Sequence, residues 1–265
     1  MNNTEKQMLE ILKSARDYGV IAVKAEFEAE GTRNDEFLRL LEIARRADLK
    51  VALKIGGCEA IRDLIEARNY GVDYIIAPMV ETPYALTKYV AAKDKIYSKD
   101  EQGDMRFLFN LETKTGFDNL SGLGVEAEKG ETGFVFGRVD FAGSLGKGRE
   151  IVNASETMDC VEKVAREAAA RNVELVVGGG VNPDSIAPLQ RVRKIRLDRF
   201  ETRKVIFDGS CLEGGDVERG MEHAIKFELL WLKNKRDFYK SIAAEDEARI
   251  GMMEARQQSS FQPVG

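Results

Sequence analysis

The sequence predicts an α/β protein of the (β/α)8 TIM-barrel class, with room for an irregularity at the first strand and with an extended C-terminal helix. Three observations lead there. Short runs rich in Val, Ile and Phe alternate with stretches of helical period, the pattern of repeated βα units around a parallel sheet. A length of 265 residues suits one such barrel. No Pro/Ser-rich linker or repeat of solenoid length divides the chain, so residues 1–265 are expected to form a single barrel domain with a helical, flexible tail from about 241.

The strands are expected at 20–27, 50–55, 72–80, 106–112, 133–140, 173–179 and 194–201. An eighth is not evident in the pattern. Between them, "NDEFLRLLEIARRA" sets Phe37, Leu40, Leu41 and Ala44 on one helical face, with Asn34 or Asp35 placed to cap it. Further helices are expected at 59–69, 83–92, 155–171 and 218–240. The tail "SIAAEDEARIGMMEARQQSSFQPVG" begins as helix and ends polar, so it either frays into solvent or docks on a neighbouring subunit.

Composition narrows the function classes. With 43% hydrophobic and 32% charged residues and a net charge of −5, the chain reads as globular, and its scattered basic residues argue against nucleic acid as a partner. No apolar run approaches a membrane span or signal peptide, so a cytoplasmic protein is expected. Three widely spaced cysteines, Cys58, Cys160 and Cys211, point to free thiols rather than a disulfide framework or thiolate metal site.

Two carboxylates carry most of the chemistry. "FLFNLE" ends on Glu112 and "FVFGRVD" ends on Asp140, so in a parallel barrel both should arrive at the mouth where the C-terminal strand ends converge. Two oxygen donors with room for water and substrate suit Mg2+ or Mn2+. Capping of the following helix is the competing duty for each. The turn "VVGGGVNPDSI" offers Gly179 and Gly180 as an anion-binding loop, or equally a tight βα turn capped by Asn182. In "LDRFETRKV", the charges Asp198, Arg199, Glu201 and Arg203 suit a salt-bridged rim, with Arg199 also available to an anionic substrate.

"APMVETPYAL", "FNLETKTGFDNL" and "FGRVDFAGSLG" resemble, in order and interval, the successive strand-end motifs of the HpcH/HpaI aldolase and citrate lyase β-subunit family, over about residues 20–215. The resemblance implies a divalent-metal barrel of the pyruvate/phosphoenolpyruvate-binding type, oligomeric, acting on 2-oxo acids with an aldehyde or thioester partner. Its metal carboxylates fall on Glu112 and Asp140. The amides after Gly137, those of Val139 and Asp140, would hold a pyruvate carboxylate, with Thr113 beside them.

Two departures stand out. Lys54 in "VALKIGG" takes the place of an arginine that ends the family's third strand, keeping the charge without the planar fork. Glu26-Phe27 replaces the Glu-His that ends its second strand, and the chain's one histidine, His223, lies on a late helical pattern. Proton transfer then falls to Glu26, Glu28 or metal-bound water. The expectation is a carbon–carbon lyase or aldolase using Mg2+, Mn2+ or Co2+, with Glu112 and Asp140 on the metal and Lys54 and Glu26 catalytic. Two alternatives stand beside it: a metal-free Schiff-base aldolase using Lys24 or Lys54, and a non-catalytic ligand-binding barrel.

Overall fold

The computed structural model describes residues 1–260. Eight strands close a barrel: β1 (Val20–Glu26), β2 (Lys50–Lys54), β3 (Tyr74–Ala77), β4 (Arg106–Leu111), β5 (Thr132–Gly137), β6 (Leu175–Gly178), β7 (Arg199–Glu201) and β8 (Val205–Asp208). β1 to β7 run parallel in sequence order. β8 is antiparallel to both of its neighbours, β7 and β1.

This is the strand the sequence pattern hides. The turn after Glu201 spans only Thr202, Arg203 and Lys204, and Thr202 N–H closes it by donating to the Val205 carbonyl at 2.9 Å. No crossover helix intervenes, so β7 and β8 form a hairpin with its turn at the mouth. β1 absorbs the reversed neighbour by a register shift between Val20 and Ala22, which is the irregularity expected at the first strand. Each strand-end motif also arrives one strand early: Glu26 ends β1 and Lys54 ends β2, where the resemblance counted second and third strands. The antiparallel β8 supplies the missing wall.

Strand alternation sorts the side chains into two cores. Ala22, Ala52, Tyr74, Ile76, Leu108, Val135, Val176 and Ile206 pack inside the barrel, while the intervening residues, such as Val23, Leu53, Ile75, Phe109, Phe134 and Val177, pack outward beneath the helices. Continuing the inward series toward the strand ends gives Lys24 and Glu26, Lys54, Asn110 and Glu112, Gly137, Gly178 and Glu201. The polar layer of the mouth is therefore the same face as the apolar plug below it.

Several boundaries differ from the expectation. The strand expected at 194–201 is only Arg199–Glu201, because the preceding helix runs Ile186–Arg193. The strand expected at 133–140 stops at Gly137, and Arg138–Ser144 is a short helix. The helix over "NDEFLRLLEIARR" has Arg33 rather than Asn34 or Asp35 at its N-cap position, without a side-chain cap, and the Arg33 N–H donates to Glu36 Oε2. The C-terminal helix is far longer than 218–240: it runs Val217–Ser260, 44 residues, packing its first half on the helix Asn3–Ala15. The last part of the expected tail, 261–265, lies outside the described residues. No helix among those described is long and apolar enough to cross a membrane.

Candidate active site

The inward residues at the strand ends open on a cavity of about 600 Å³. Six carboxylates (Glu26, Glu28, Glu112, Asp140, Glu201, Glu228) and four cations (Lys24, Lys54, Arg149, Arg203) line it, with Gly137, Val139 and Gly178–Gly180.

Glu112 is the best-held of these groups. It is 3% exposed, and its Oε1 accepts from the Met79 N–H at 3.1 Å while Oε2 accepts from the Asn110 amide. Lys54 Nζ stands 3.7 Å from Oε1. Burial raises the Glu112 carboxyl above its ordinary pKa, Lys54 and the Asn110 amide pull it back, and nearby Asp140 raises it again. Met79 donates from a left-handed backbone (φ 50°), a strained conformation for a non-glycine residue that aims its N–H at the carboxylate. Gly137 makes room from the other side: a Cβ there would lie 2.8 Å from Glu112 Oε2 and 2.9 Å from its Cβ.

Asp140 reaches the cavity differently from the expectation. It sits in the first turn of the helix Arg138–Ser144, exposed, rather than at a strand end. The competing duty of N-cap does not apply, since Gly137 holds that position and no side chain caps it. Its charge nevertheless complements the first-turn amides, which have no intrahelical acceptor.

The lysines are ion-paired. Lys24 Nζ bridges Glu201 Oε1 at 2.5 Å and Glu26 Oε1 at 3.5 Å. Burial lowers its pKa, but the two carboxylates outweigh that and raise it. A held ammonium is the opposite of what a Schiff-base nucleophile needs. Lys54 Nζ lies 3.2 Å from Glu28 Oε2, without hydrogen-bond alignment, so that oxygen has no hydrogen-bond partner. Glu201 Oε2 and Asn110 Oδ1 are likewise buried and unpartnered. Among the described residues only one further side-chain atom, Thr157 Oγ1, shares that condition. Three of the four therefore gather at this mouth, where an arriving ligand would satisfy them.

Gly179 and Gly180 do line the cavity, in left-handed backbone (φ 81° and 68°). A Cβ on Gly179 would sit 2.6 Å from Val139 N and 2.7 Å from Arg138 N, covering those two amides. The loop is pinned by Arg138, which is fully buried, donates to the Gly178 carbonyl at 3.1 Å and to Asn153 Oδ1 at 2.7 Å, and has its pKa lowered by burial to about 10. Asn182 N–H and side chain meet Ser185 Oγ, as a capped βα turn requires.

Two expected site residues are elsewhere. Thr113 is committed to structure: its hydroxyl donates to Glu81 Oε1 at 2.7 Å and accepts from the Gly116 N–H, capping a short helix. Arg199 opens β7, two residues below Glu201 on the inward face, and so lies at the opposite end of the barrel. There it spans the Tyr74 ring at 4.7 Å and pairs with Glu174 at 2.7 Å, out of reach of a substrate at the mouth. Phe27 turns away from the barrel interior onto Phe37. His223 stacks on Tyr18 and meets the Arg219 carbonyl. Sequence reasoning passed over Asn110, Arg138 and Arg149, and gave Glu201 only a place on the rim. Period two from Leu108 and from Arg199 would have placed Asn110 and Glu201 inward; nothing local marks Arg149.

A family model, HpcH/HpaI aldolase/citrate lyase, matches residues 35–192, more than half of the chain. The chain belongs to that family. Among solved structures, an HpcH/HpaI aldolase from Desulfitobacterium hafniense DCB-2 superposes with a TM-score of 0.60 at 14% identity, over 80% of this chain and 85% of that one. An HpcH/HpaI aldolase/citrate lyase family protein from Burkholderia cenocepacia J2315 gives 0.62 at 11% identity over 90% of both chains. The citrate synthase SbnG gives 0.57 at 17% identity, over 87% of this chain and 90% of that one. At such identities the likeness concerns the fold. No curated protein matches in sequence.

Proposed function

We propose that this chain is a divalent-metal-dependent carbon–carbon lyase or aldolase that handles the enolate of pyruvate or a related 2-oxo acid, with an aldehyde or thioester as the second reactant. Membership of an aldolase/citrate lyase family supports the lyase class. The observation that carries the rest is the unfinished charge balance of the mouth: six carboxylates against four cations, with Glu112 buried and Asp140 on the same lining.

A net formal charge of minus two is the charge that one divalent cation would balance. Among the described residues no three acidic, His or Cys side chains gather around one point, but Mg2+ takes one or two carboxylates and keeps other positions for water and substrate. Glu112 and Asp140 would hold the metal, with the unpartnered Asn110 Oδ1 nearby; Mn2+ and Co2+ suit the same donors. A bound metal would polarise a 2-oxo group and stabilise the charge that develops on it. The remaining roles belong to the chain. Lys54 balances Glu112 and adds positive charge toward the 2-oxo oxygen. The Val139 amide, kept open by Gly179, and the Asp140 amide next to it would receive the substrate carboxylate. Glu26 is occupied with Lys24, so Glu28, with a free oxygen facing Lys54, is the better placed to move a proton. Arg149, which makes no ion pair among the described residues, is available for an anionic second reactant.

Titration calorimetry of oxalate into Mn2+-replete protein tests this reading. Affinity should fall by about 100-fold or more in Glu112→Gln and in Asp140→Asn; unchanged affinity in both would remove the site assignment.

A further inference from the structure

Six cationic side chains are buried among the described residues: Lys24, Lys54, Lys93, Arg138, Arg199 and Lys204. Five of them have a carboxylate partner, Lys24 in Glu201, Lys54 in Glu28, Lys93 in Asp94, Arg199 in Glu174 and Lys204 in Glu30. Arg138, at 0% exposure the most deeply buried, makes no ion pair among the described residues. The oxygens that accept from its guanidinium are the Gly178 and Val152 carbonyls, Asn153 Oδ1 and Ser185 Oγ, all neutral. Burial is the only influence on its pKa, and at about 10 the group stays charged at neutral pH. Hydrogen bonds to neutral groups satisfy its N–H donors but leave the buried charge itself unbalanced.

The position of that charge gives it a use. Gly178, whose carbonyl accepts from Arg138 Nε at 3.1 Å, lines the mouth cavity together with Gly137, Gly179 and Gly180. The wall there is glycine backbone, and Gly179 fits against the Arg138 and Val139 amides so closely that a Cβ on it would lie 2.7 Å and 2.6 Å from them. The guanidinium therefore stands behind a thin wall, on the side where the proposed 2-oxo acid would place its carboxylate. We infer that Arg138 is a positioning residue whose charge acts through this wall, and that the anionic end of the substrate is its missing counter-ion. The inference rests on the 2-oxo acid reading and adds to it the source of the preference for a carboxylate over a neutral group of the same shape. Six carboxylates line the mouth, and without a cation behind the glycine wall they would disfavour an anion there. Coulomb attraction over the length of one side chain, in a partly buried site, is worth on the order of a tenfold to hundredfold change in affinity.

Asn153→Asp supplies the counter-ion from within the chain. Asn153 Oδ1 already accepts from Arg138 Nη1 at 2.7 Å and from Ser185 Oγ at 3.1 Å, so an aspartate keeps both bonds and neutralises the guanidinium in place. Its thermal midpoint should rise, because a buried charge gains its partner, while the affinity of Mn2+-replete protein for oxalate in calorimetry should fall by about tenfold or more. Mn2+ affinity, read by electron paramagnetic resonance without oxalate, should not fall. Arg138→Lys, which keeps the charge, should bind oxalate several-fold more tightly than Arg138→Gln, which does not; Asn153→Asp decides alone if neither folds. A guanidinium that only holds the turn predicts intact oxalate affinity in Asn153→Asp and equal losses in the two Arg138 variants. Either of those results, or Mn2+ and oxalate affinity falling together in Asn153→Asp, would overturn the inference alone. A parent protein that binds no oxalate would remove the 2-oxo acid reading, and the inference with it.

Discussion

The two ends of the barrel are built from the same kinds of residue and reach opposite outcomes. At the end where the strands begin, Arg199 lies over Tyr74 at 4.7 Å, Lys50 approaches the same ring at 5.5 Å, and Glu174 takes both Arg199 and Arg106. None of the buried unpartnered side-chain atoms is there. At the mouth, Lys24 and Lys54 are shared among Glu26, Glu28, Glu112 and Glu201, yet three buried polar atoms are left over. Charge inside a barrel is thus not by itself a sign of function. The closed end behaves as a structural plug, while the open end keeps capacity for something that is not protein.

That contrast can be broken from either side. The largest effect is expected at the mouth: Glu112→Gln or Asp140→Asn should cost the oxalate affinity of Mn2+-replete protein described above while leaving the metal-free fold intact by circular dichroism. At the closed end the pattern should invert. Arg199→Met takes a buried guanidinium away from the partly exposed Glu174 and should lower stability by about 2 kcal/mol in urea denaturation, with the oxalate affinity of Mn2+-replete protein unchanged. If Arg199→Met instead abolished ligand binding, the division between the ends would be wrong.

A smaller effect belongs to Met79. Met79→Gly relieves a left-handed backbone and should change stability by only about 1 kcal/mol, yet loosening the N–H that positions Glu112 should weaken metal binding measurably. The pH dependence is finer still. Because the folded-state pKa of Glu112 is raised, its contribution to stability is greatest below the unfolded carboxylate range and declines as pH rises through the folded value. Thermal midpoints of metal-free protein and of Glu112→Gln should therefore diverge as pH increases from about 4, with the variant gaining relative to the parent. A divergence in the other direction would mean that Lys54 and Asn110 outweigh burial.

Much of this was legible in the sequence because one period governs both core and site. The alternation that places Leu108 inside the barrel also places Asn110 and Glu112 there, so an apolar strand ending on a carboxylate was a sound pointer. The same alternation, counted backward from Glu201, places Arg199 at the far end; reading the cluster as a rim ignored the two-residue rise. Asp140 was found for an incomplete reason. "FVFGRVD" stays apolar enough to look like one strand, but the chain breaks at Gly137 and turns into a helix. β8 was illegible because four residues after a three-residue turn carry no crossover helix, and a parallel template leaves no place for a hairpin. The length of the final helix was underestimated because its outer half packs against nothing in its own chain.

The most direct test of the central claim is diffraction from crystals soaked with Mn2+ and oxalate, using the manganese anomalous signal. The account predicts one ion at the mouth, held by Glu112 and Asp140, with the oxalate reaching toward Lys54 and the Val139 amide. An empty mouth, or an ion bound away from both carboxylates with Lys54 seated on Glu112, would contradict it.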